Sequence, residues 1–237
     1  MNMKINTVLK VIIIIILPFI ILLGAIRLIT TPGFAAFEYN RSWFTPDPYG
    51  MTKPERLRWS YYAIKYLTND QGIDYLGDLR FDDGTEVFNE RELGHMVDVK
   101  QVMRTSFTVW YALLGFFLAV MIWFLVMRDW KVFSQATTWG AWLTIGLIVA
   151  ILVFLAISFS QLFDRFHQLF FAEGSWIFYQ SDTLIRLFPI VFWRDAFILV
   201  SVLSLLVAGL ILIIKCVIKK HVKKKQQTKA SGEAAVL

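Results

Sequence analysis

Apolar residues in this 237-residue chain fall into four long runs, near 8–29, 107–127, 138–160 and 195–214. Each is long enough for a bilayer crossing, which needs about 20 mostly apolar residues. Within hydrocarbon every backbone N–H and C=O must be satisfied internally, so the four runs are expected to be helices. The first run follows a basic start and is apolar from Val11 to Leu23, the pattern of a secretory signal. Leu23-Gly24-Ala25 is a poor small-x-small cleavage site, so residues 1–29 read as an uncleaved first span with a kink at Pro18.

Between the runs the pattern changes. Residues 30–51, with Pro32, Gly33, Pro46, Pro48 and Gly50, read as an extended loop. Thr52-Lys53-Pro54-Glu55 then opens a helix with a capping box, which runs to about Leu67 and stops at Asn69-Asp70. Residues 76–89 suggest a small β-hairpin in which Leu79–Phe81 and Thr85–Phe88 flank the turn Asp82-Asp83-Gly84. Asn89, with Glu92 three residues on, caps a helix leading toward the second span. A straight helix would hold His95 about 16 Å above residue 106, so a bend is expected there. Past the third span an amphipathic continuation places Leu162, Phe163, Phe166 and Phe170 on one side. Residues 175–182 read as a loop, and Leu184–Pro189 as a short interfacial turn.

The predicted fold class is therefore an all-α membrane protein. Four transmembrane helices carry an extracellular domain of interfacial helices and a small β-hairpin. The divisions are 1–29, 107–127, 138–160 and 195–214 for the spans, 30–106 and 161–194 outside, and a cytoplasmic turn (128–137) and basic tail (215–237). Composition agrees: 57% of residues are hydrophobic and the mean hydropathy is +0.57, above a soluble domain's range.

Charge orients the spans. Lys4 and Lys10 precede the first, Arg128 and Lys131 lie between the second and third, and Lys215, Lys219, Lys220, Lys223, Lys224, Lys225 and Lys229 follow the fourth. The positive-inside rule makes these regions cytoplasmic and places the site-bearing segments on the outer face of the cell membrane. The net charge of +6 comes from those flanks, the lysine tail lying against anionic lipid. Residues 30–106 hold twelve acidic and nine basic side chains, so no surface suited to nucleic acid is present.

Chemistry is restricted further by what the chain lacks. Cys216 is the single cysteine, so neither an intramolecular disulfide nor paired-thiol redox chemistry is possible. There is no phosphate-binding glycine loop, and no residue pattern that calls for a metal or other cofactor. The chain is read as a monomer in membrane lipid.

The remaining candidates are histidines. Of three in the chain, His221 lies in the lysine tail, whereas His95 and His167 arrive at the same membrane surface. Glu92 and Asp98 flank His95 at three-residue spacing, and Asp164 precedes His167 by three. A carboxylate accepting one ring N–H orients an imidazole and leaves its other nitrogen for substrate. Arg91, Arg165 and Arg186 could hold an anion or stabilise an oxyanion. The bland alternative is a non-enzymatic tetraspan, an assembly or partner-binding protein in which both histidines merely pack.

Several stretches together carry a resemblance. They are Tyr49-Gly50-Met51-Thr52 with Glu55-Arg56-Leu57, the turn from Phe81 to Thr85, Asn89-Glu90-Arg91-Glu92-Leu93-Gly94-His95-Met96 with Asp98-Val99-Lys100, Phe166-His167-Gln168-Leu169-Phe170-Phe171, and Leu184-Ile185-Arg186-Leu187-Phe188-Pro189. In this order, over about residues 49–193, the chain resembles the Lit family, the lipoprotein intramolecular transacylases of Gram-positive bacteria. The resemblance implies a four-span acyltransferase acting on a diacylated lipoprotein. It would move the sn-2 ester acyl chain of the diacylglyceryl-cysteine to that cysteine's free α-amine, giving an N-acyl lyso-lipoprotein. The family's two functional histidines fall on His95 and His167, and Phe163, Phe166, Phe170 and Phe171 then read as an acyl-chain groove or interface anchor. Ester to amide is downhill, which suits a chain with no nucleotide site.

Overall fold

The computed structural model describes residues 2–234, with side chains for 4–221. The side chains of Lys223, Lys224, Lys225 and Lys229, most of the expected basic tail, lie outside the described residues. Nine helices follow one another among the described residues: α1 (Asn2–Ile29), α2 (Pro32–Asn40), α3 (Lys53–Thr68), α4 (Asp74–Gly77), α5 (Glu90–Val126), α6 (Trp130–Ile157), α7 (Phe159–Phe170), α8 (Thr183–Leu187) and α9 (Ile190–Ala234). Four are long and apolar enough to cross a membrane: Lys4–Ile29 of α1, α5, α6 and Ile190–His221 of α9.

Three expectations need correction. Residues 30–51 are not an extended loop throughout, because α2 forms within them. Pro32 stands at its first turn, where a missing N–H costs nothing, and Phe34, Ala35, Glu38 and Tyr39 are its buried side chains. The hairpin has no strands among the described residues. It is reduced to one bridge between Arg80 and Glu86, with Phe81 N–H donating to Thr85 C=O at 2.8 Å around Gly84, whose φ is +85°. Finally, α5 runs unbroken from Glu90 to Val126, so the capped helix at Asn89 and the span expected at 107–127 are one helix and not two elements. Its last charged side chain is Arg104, so the charged residues of α5 gather at 90–104 and the remainder is mostly apolar.

The chain divides into two compact units. The first contains Met1–Leu22, Ala112–Ala150 and Val202–Leu237. Its core is apolar: Ile13, Val120, Phe124, Phe133 and Ala136 in one cluster, and Leu17, Ile21, Ala141 and Ala208 in another. A Cβ placed on Gly140 would lie 2.8 Å from Leu17 Cδ2 and 3.0 Å from its Cβ, so only glycine lets α1 and α6 approach this closely. The turn from α5 to α6 is only Met127–Asp129, shorter than the expected cytoplasmic connection. Arg128 adopts φ 55°, Asp129 N–H donates to Phe124 C=O at 3.0 Å and Arg128 N–H to Leu125 C=O at 3.2 Å. This is a Schellman cap with arginine where glycine is usual.

The second unit contains Leu23–Tyr111 and Ile151–Ser201. Helix α3 begins as expected: Thr52 accepts from Glu55 N–H while the Glu55 side chain accepts from Thr52 N–H. Its Trp59, Ala63 and Tyr66 pack with Leu76, Val87, Phe88, Met96, Leu184 and Leu187 in the main cluster. Buried charge is organised here too. Arg41 bridges Glu38 (2.7 Å) and Asp195 (2.9 Å), and Arg186 pairs with Asp47 at 3.0 Å. Burial holds the Glu38 carboxyl above its ordinary range, against the opposing pull of Arg41.

Candidate functional site

The site is assembled from the start of α5, the end of α7 and the segment between α7 and α8. Helix α5 starts with a reciprocal cap: Asn89 N–H donates to Glu92 Oε2 at 2.9 Å, and Glu92 N–H donates to Asn89 Oδ1 at 3.1 Å. The other oxygen of Glu92 accepts the N–H of Leu184 at 2.6 Å, in the first turn of α8. This buried carboxylate therefore ties two distant stretches of chain together, and one turn later α5 presents His95.

Helix α6 ends at Ile157 because Ser158 turns extended (φ −159°, ψ 96°) and its hydroxyl accepts Gln161 N–H at the head of α7. The expected amphipathic continuation is thus a separate helix. Its last turn carries His167, 9% exposed. His167 Nδ1 donates to Phe163 C=O at 2.8 Å, which leaves Nε2 of the neutral ring with its lone pair.

The two imidazoles come together, 6.4 Å between ring centroids and 24° between planes. Aromatic rings surround them. Phe171 touches both, at 4.9 Å from His95 and 5.6 Å from His167. Phe178 lies 5.3 Å from His95. Phe163, Trp176 and Phe166 lie 4.1, 4.8 and 5.5 Å from His167. Apolar walls of this kind disfavour imidazolium. Burial, with the nearby His167, pushes His95 down to about 4. Burial also lowers His167, although its bond to Phe163 and the charge of Asp164 pull the other way. At neutral pH both rings are uncharged.

The carboxylates expected to orient these rings do something else. Both oxygens of Glu92 are taken by backbone N–H groups. Asp98 is exposed, and His95 Nδ1 is buried without any hydrogen-bond partner. Asp164 is also exposed, and the nitrogen of His167 it was expected to hold is bound to Phe163 C=O. The arginines are similarly committed. Arg91 pairs with Asp182 at 2.7 Å and lies over the rings of Tyr179 and Phe178. Arg186 is held by Asp47, and Arg165 is exposed beside Gln168. Phe166 and Phe170 are 39% and 44% exposed, with their ring centroids 5.0 Å apart and their planes tilted by 52°.

Sequence reasoning missed Trp176, Phe178 and Asp182, which sit in the stretch read as a loop. Asp182 organises that stretch by accepting from Tyr179 N–H (2.8 Å), Asn89 Nδ2 (3.2 Å) and Arg91. The available signal was the aromatic pair Trp176 and Phe178 in a segment that directly follows His167 and Phe171.

Comparison with known proteins bears on the family and the fold. The profile of a family described as "Lipoprotein intramolecular transacylase Lit" matches residues 11–193. An uncharacterized protein of Aquifex aeolicus (strain VF5) is 32% identical over 216 residues, covering 91% of this chain and 97% of its own length. The in meso structure of the membrane integral lipoprotein intramolecular transacylase Lit from Bacillus cereus superposes with a TM-score of 0.76 at 24% identity, over 94% of this chain and 99% of that one. The same Bacillus cereus protein carrying a histidine-to-arginine mutation gives 0.64 at 23% identity, over 96% and 98% of the two chains. The solved structures share this fold, that of a multi-pass membrane protein. On the profile match, which spans most of its length, the chain belongs to the Lit family of lipoprotein intramolecular transacylases.

Proposed function

We propose that His95 and His167 catalyse an O-to-N acyl transfer within a single diacylated lipoprotein, on the outer side of the cytoplasmic membrane. The acyl donor is the sn-2 ester of the diacylglyceryl group, and the acceptor is the α-amine of the same N-terminal cysteine. The observation that carries this reading is the pair of uncharged imidazoles facing each other across 6.4 Å, with Nδ1 of His167 occupied by Phe163 C=O.

That arrangement suggests the division of labour. His167 Nε2 takes a proton from the attacking amine as the C–N bond forms. The resulting imidazolium returns the proton to the glyceryl oxygen as the C–O bond breaks. His95, with its low basicity, stays neutral and donates a hydrogen bond to the carbonyl oxygen as charge develops there. Donor and acceptor share one molecule, so the enzyme's task is to fold the lipid into attack geometry rather than to gather two reactants. The exposed rings of Phe166 and Phe170 offer an apolar face for the acyl chain.

The test is conversion of a diacylated lipopeptide by the enzyme in membranes. Substrate and product are isomers of equal mass, so they are separated by chromatography or by gel mobility. His167→Ala and His95→Ala are each expected to lower the rate by about 10²–10⁴-fold, the usual contribution of a positioned acid or base. A variant retaining near-normal conversion would return its histidine to a packing role and favour a partner-binding tetraspan.

A further inference from the structure

Two polar atoms beside the histidine pair are buried and have no hydrogen-bond partner: Nδ1 of His95 and Nε1 of Trp176. An indole N–H is a donor only, and when buried it usually finds an acceptor. Leaving one unsatisfied forfeits its hydration with nothing in return. Trp59 Nε1 is also orphaned, but Trp59 is 2% exposed inside the apolar cluster of Met51, Leu76 and Phe88, with no base against it. Trp176 differs in its neighbour. Its ring lies 4.8 Å from His167, inclined by 33°, against the imidazole whose Nε2 is free to act as base.

We infer that the indole N–H of Trp176 donates a hydrogen bond to the ester carbonyl oxygen of the substrate as it becomes an oxyanion, alongside His95. This rests on the acyl-transfer reading of the site. In the step itself the α-amine nitrogen bonds to the carbonyl carbon and its proton passes to His167. Trp176 stabilises the negative oxygen and keeps its own hydrogen. Collapse breaks the bond to the glyceryl oxygen, which takes the proton from His167. An indole suits the task because it cannot be deprotonated near neutral pH and cannot compete as a nucleophile. Its apolar body also keeps water from the tetrahedral intermediate.

The test uses the full-length enzyme in lipid nanodiscs and a synthetic diacylated lipopeptide with a free N-terminal cysteine. Trp176→Phe keeps an aromatic ring on His167 and removes the donor. Site-specific replacement of Trp176 by 3-benzothienylalanine, with sulfur in place of N–H, preserves the indole outline that phenylalanine does not fill. For each, kcat is expected to fall by about 10²-fold while KM stays within about twofold, the pattern for loss of one oxyanion donor. An N-acetylated lipopeptide carrying a 13C-labelled ester carbonyl binds without reacting. Its infrared carbonyl band is expected to shift to lower frequency on the wild-type enzyme and to shift less on the benzothienyl variant. Wild-type kcat and an unchanged carbonyl shift in the benzothienyl variant would overturn the assignment, and a change in KM alone would make Trp176 only a wall for the acyl chain. His167→Ala is measured in parallel. If it is inactive while the benzothienyl variant is normal, only the role of Trp176 fails; if it is fully active, the acyl-transfer reading fails with it.

Discussion

In the unit formed by Met1–Leu22, Ala112–Ala150 and Val202–Leu237, the buried polar side chains among the described residues are Thr144 and Ser204, both uncharged. In the unit formed by Leu23–Tyr111 and Ile151–Ser201, Glu38, Arg56, Glu92, Lys100 and Asp195 are all buried, together with His167. Lipid is as apolar as leucine, so helices there gain little by hiding apolar surface and associate through close packing, as Gly140 and Leu17 do. A unit that must hold two imidazoles in one geometry needs directional contacts. Buried carboxylates and guanidinium groups supply them, provided every partner is present. The first unit should therefore answer to volume and the second to the loss of single hydrogen-bonding atoms.

The largest expected effect comes from Glu92→Ala. It strands the N–H groups of Leu184 and Asn89, which now donate to the carboxylate at 2.6 and 2.9 Å, and releases the tether between α5 and α8. Leaving a buried donor unsatisfied costs about 1–3 kcal/mol, and here two donors lose the same carboxylate. Thermal unfolding in detergent should show the loss, and activity should fall with the folded fraction. An unfolding temperature equal to the wild type would contradict the tether.

Gly140→Val probes the other unit. The added Cβ would lie 2.8 Å from Leu17 Cδ2, and overpacking of this kind costs about 1–3 kcal/mol. Leu17→Ala should recover part of the loss, because it removes the atoms in the way. Activity per folded molecule is expected to stay at the wild-type level. A fall in kcat without a fall in stability would mean that the packing of α1 on α6 also sets the geometry of the histidines.

A smaller effect separates the histidines from their substrate. Because burial lowers both rings, His95 to about 4 and His167 below its ordinary value, neither limits the rate near neutrality. The substrate α-amine, with a pKa of about 8, must lose its proton to attack. The log of kcat/KM should rise with unit slope from about pH 6.5 to 7.5 and level off near 8, roughly tenfold per pH unit. Protonation of His167 should steepen the profile only below the ordinary imidazole value of about 6.5, because burial lowers this ring. A profile that steepens already at that value would mean the imidazole is not desolvated in the working enzyme.

The spans, the capped helix starts at Thr52 and Asn89, and the convergence of His95 with His167 could all be read from the chain, because hydropathy, caps and topology are properties of short stretches. The partners of the histidines could not. Three-residue spacing on a helix says that Glu92 can reach His95, and Asp164 can reach His167. It does not say what else competes for those groups. Buried backbone N–H and C=O groups must be satisfied first, so Leu184 N–H claims Glu92 and Phe163 C=O claims His167. Helix α2 was hidden by the prolines and glycines around it. The hairpin failed for the opposite reason: its turn chemistry was right, but the flanking segments make one bridge and no ladder.

The finest contrast lies within one ion pair. Arg91 is 41% exposed and Asp182 10%, at 2.7 Å. Arg91→Lys keeps the charge but loses the flat guanidinium that covers Tyr179 at 4.7 Å and Phe178 at 5.7 Å. Since the arginine is half in solvent, the change should cost no more than about 1 kcal/mol and leave kcat within about twofold. Asp182→Asn should cost more than that, because the same carboxylate also accepts Tyr179 N–H and Asn89 Nδ2, and so anchors the segment that bears Trp176 and Phe178. If Arg91 instead binds an anionic part of the substrate, the order reverses: Arg91→Lys would raise KM while Asp182→Asn left it unchanged. The pair of KM values therefore decides whether Arg91 serves the lipid or holds the wall around the histidines.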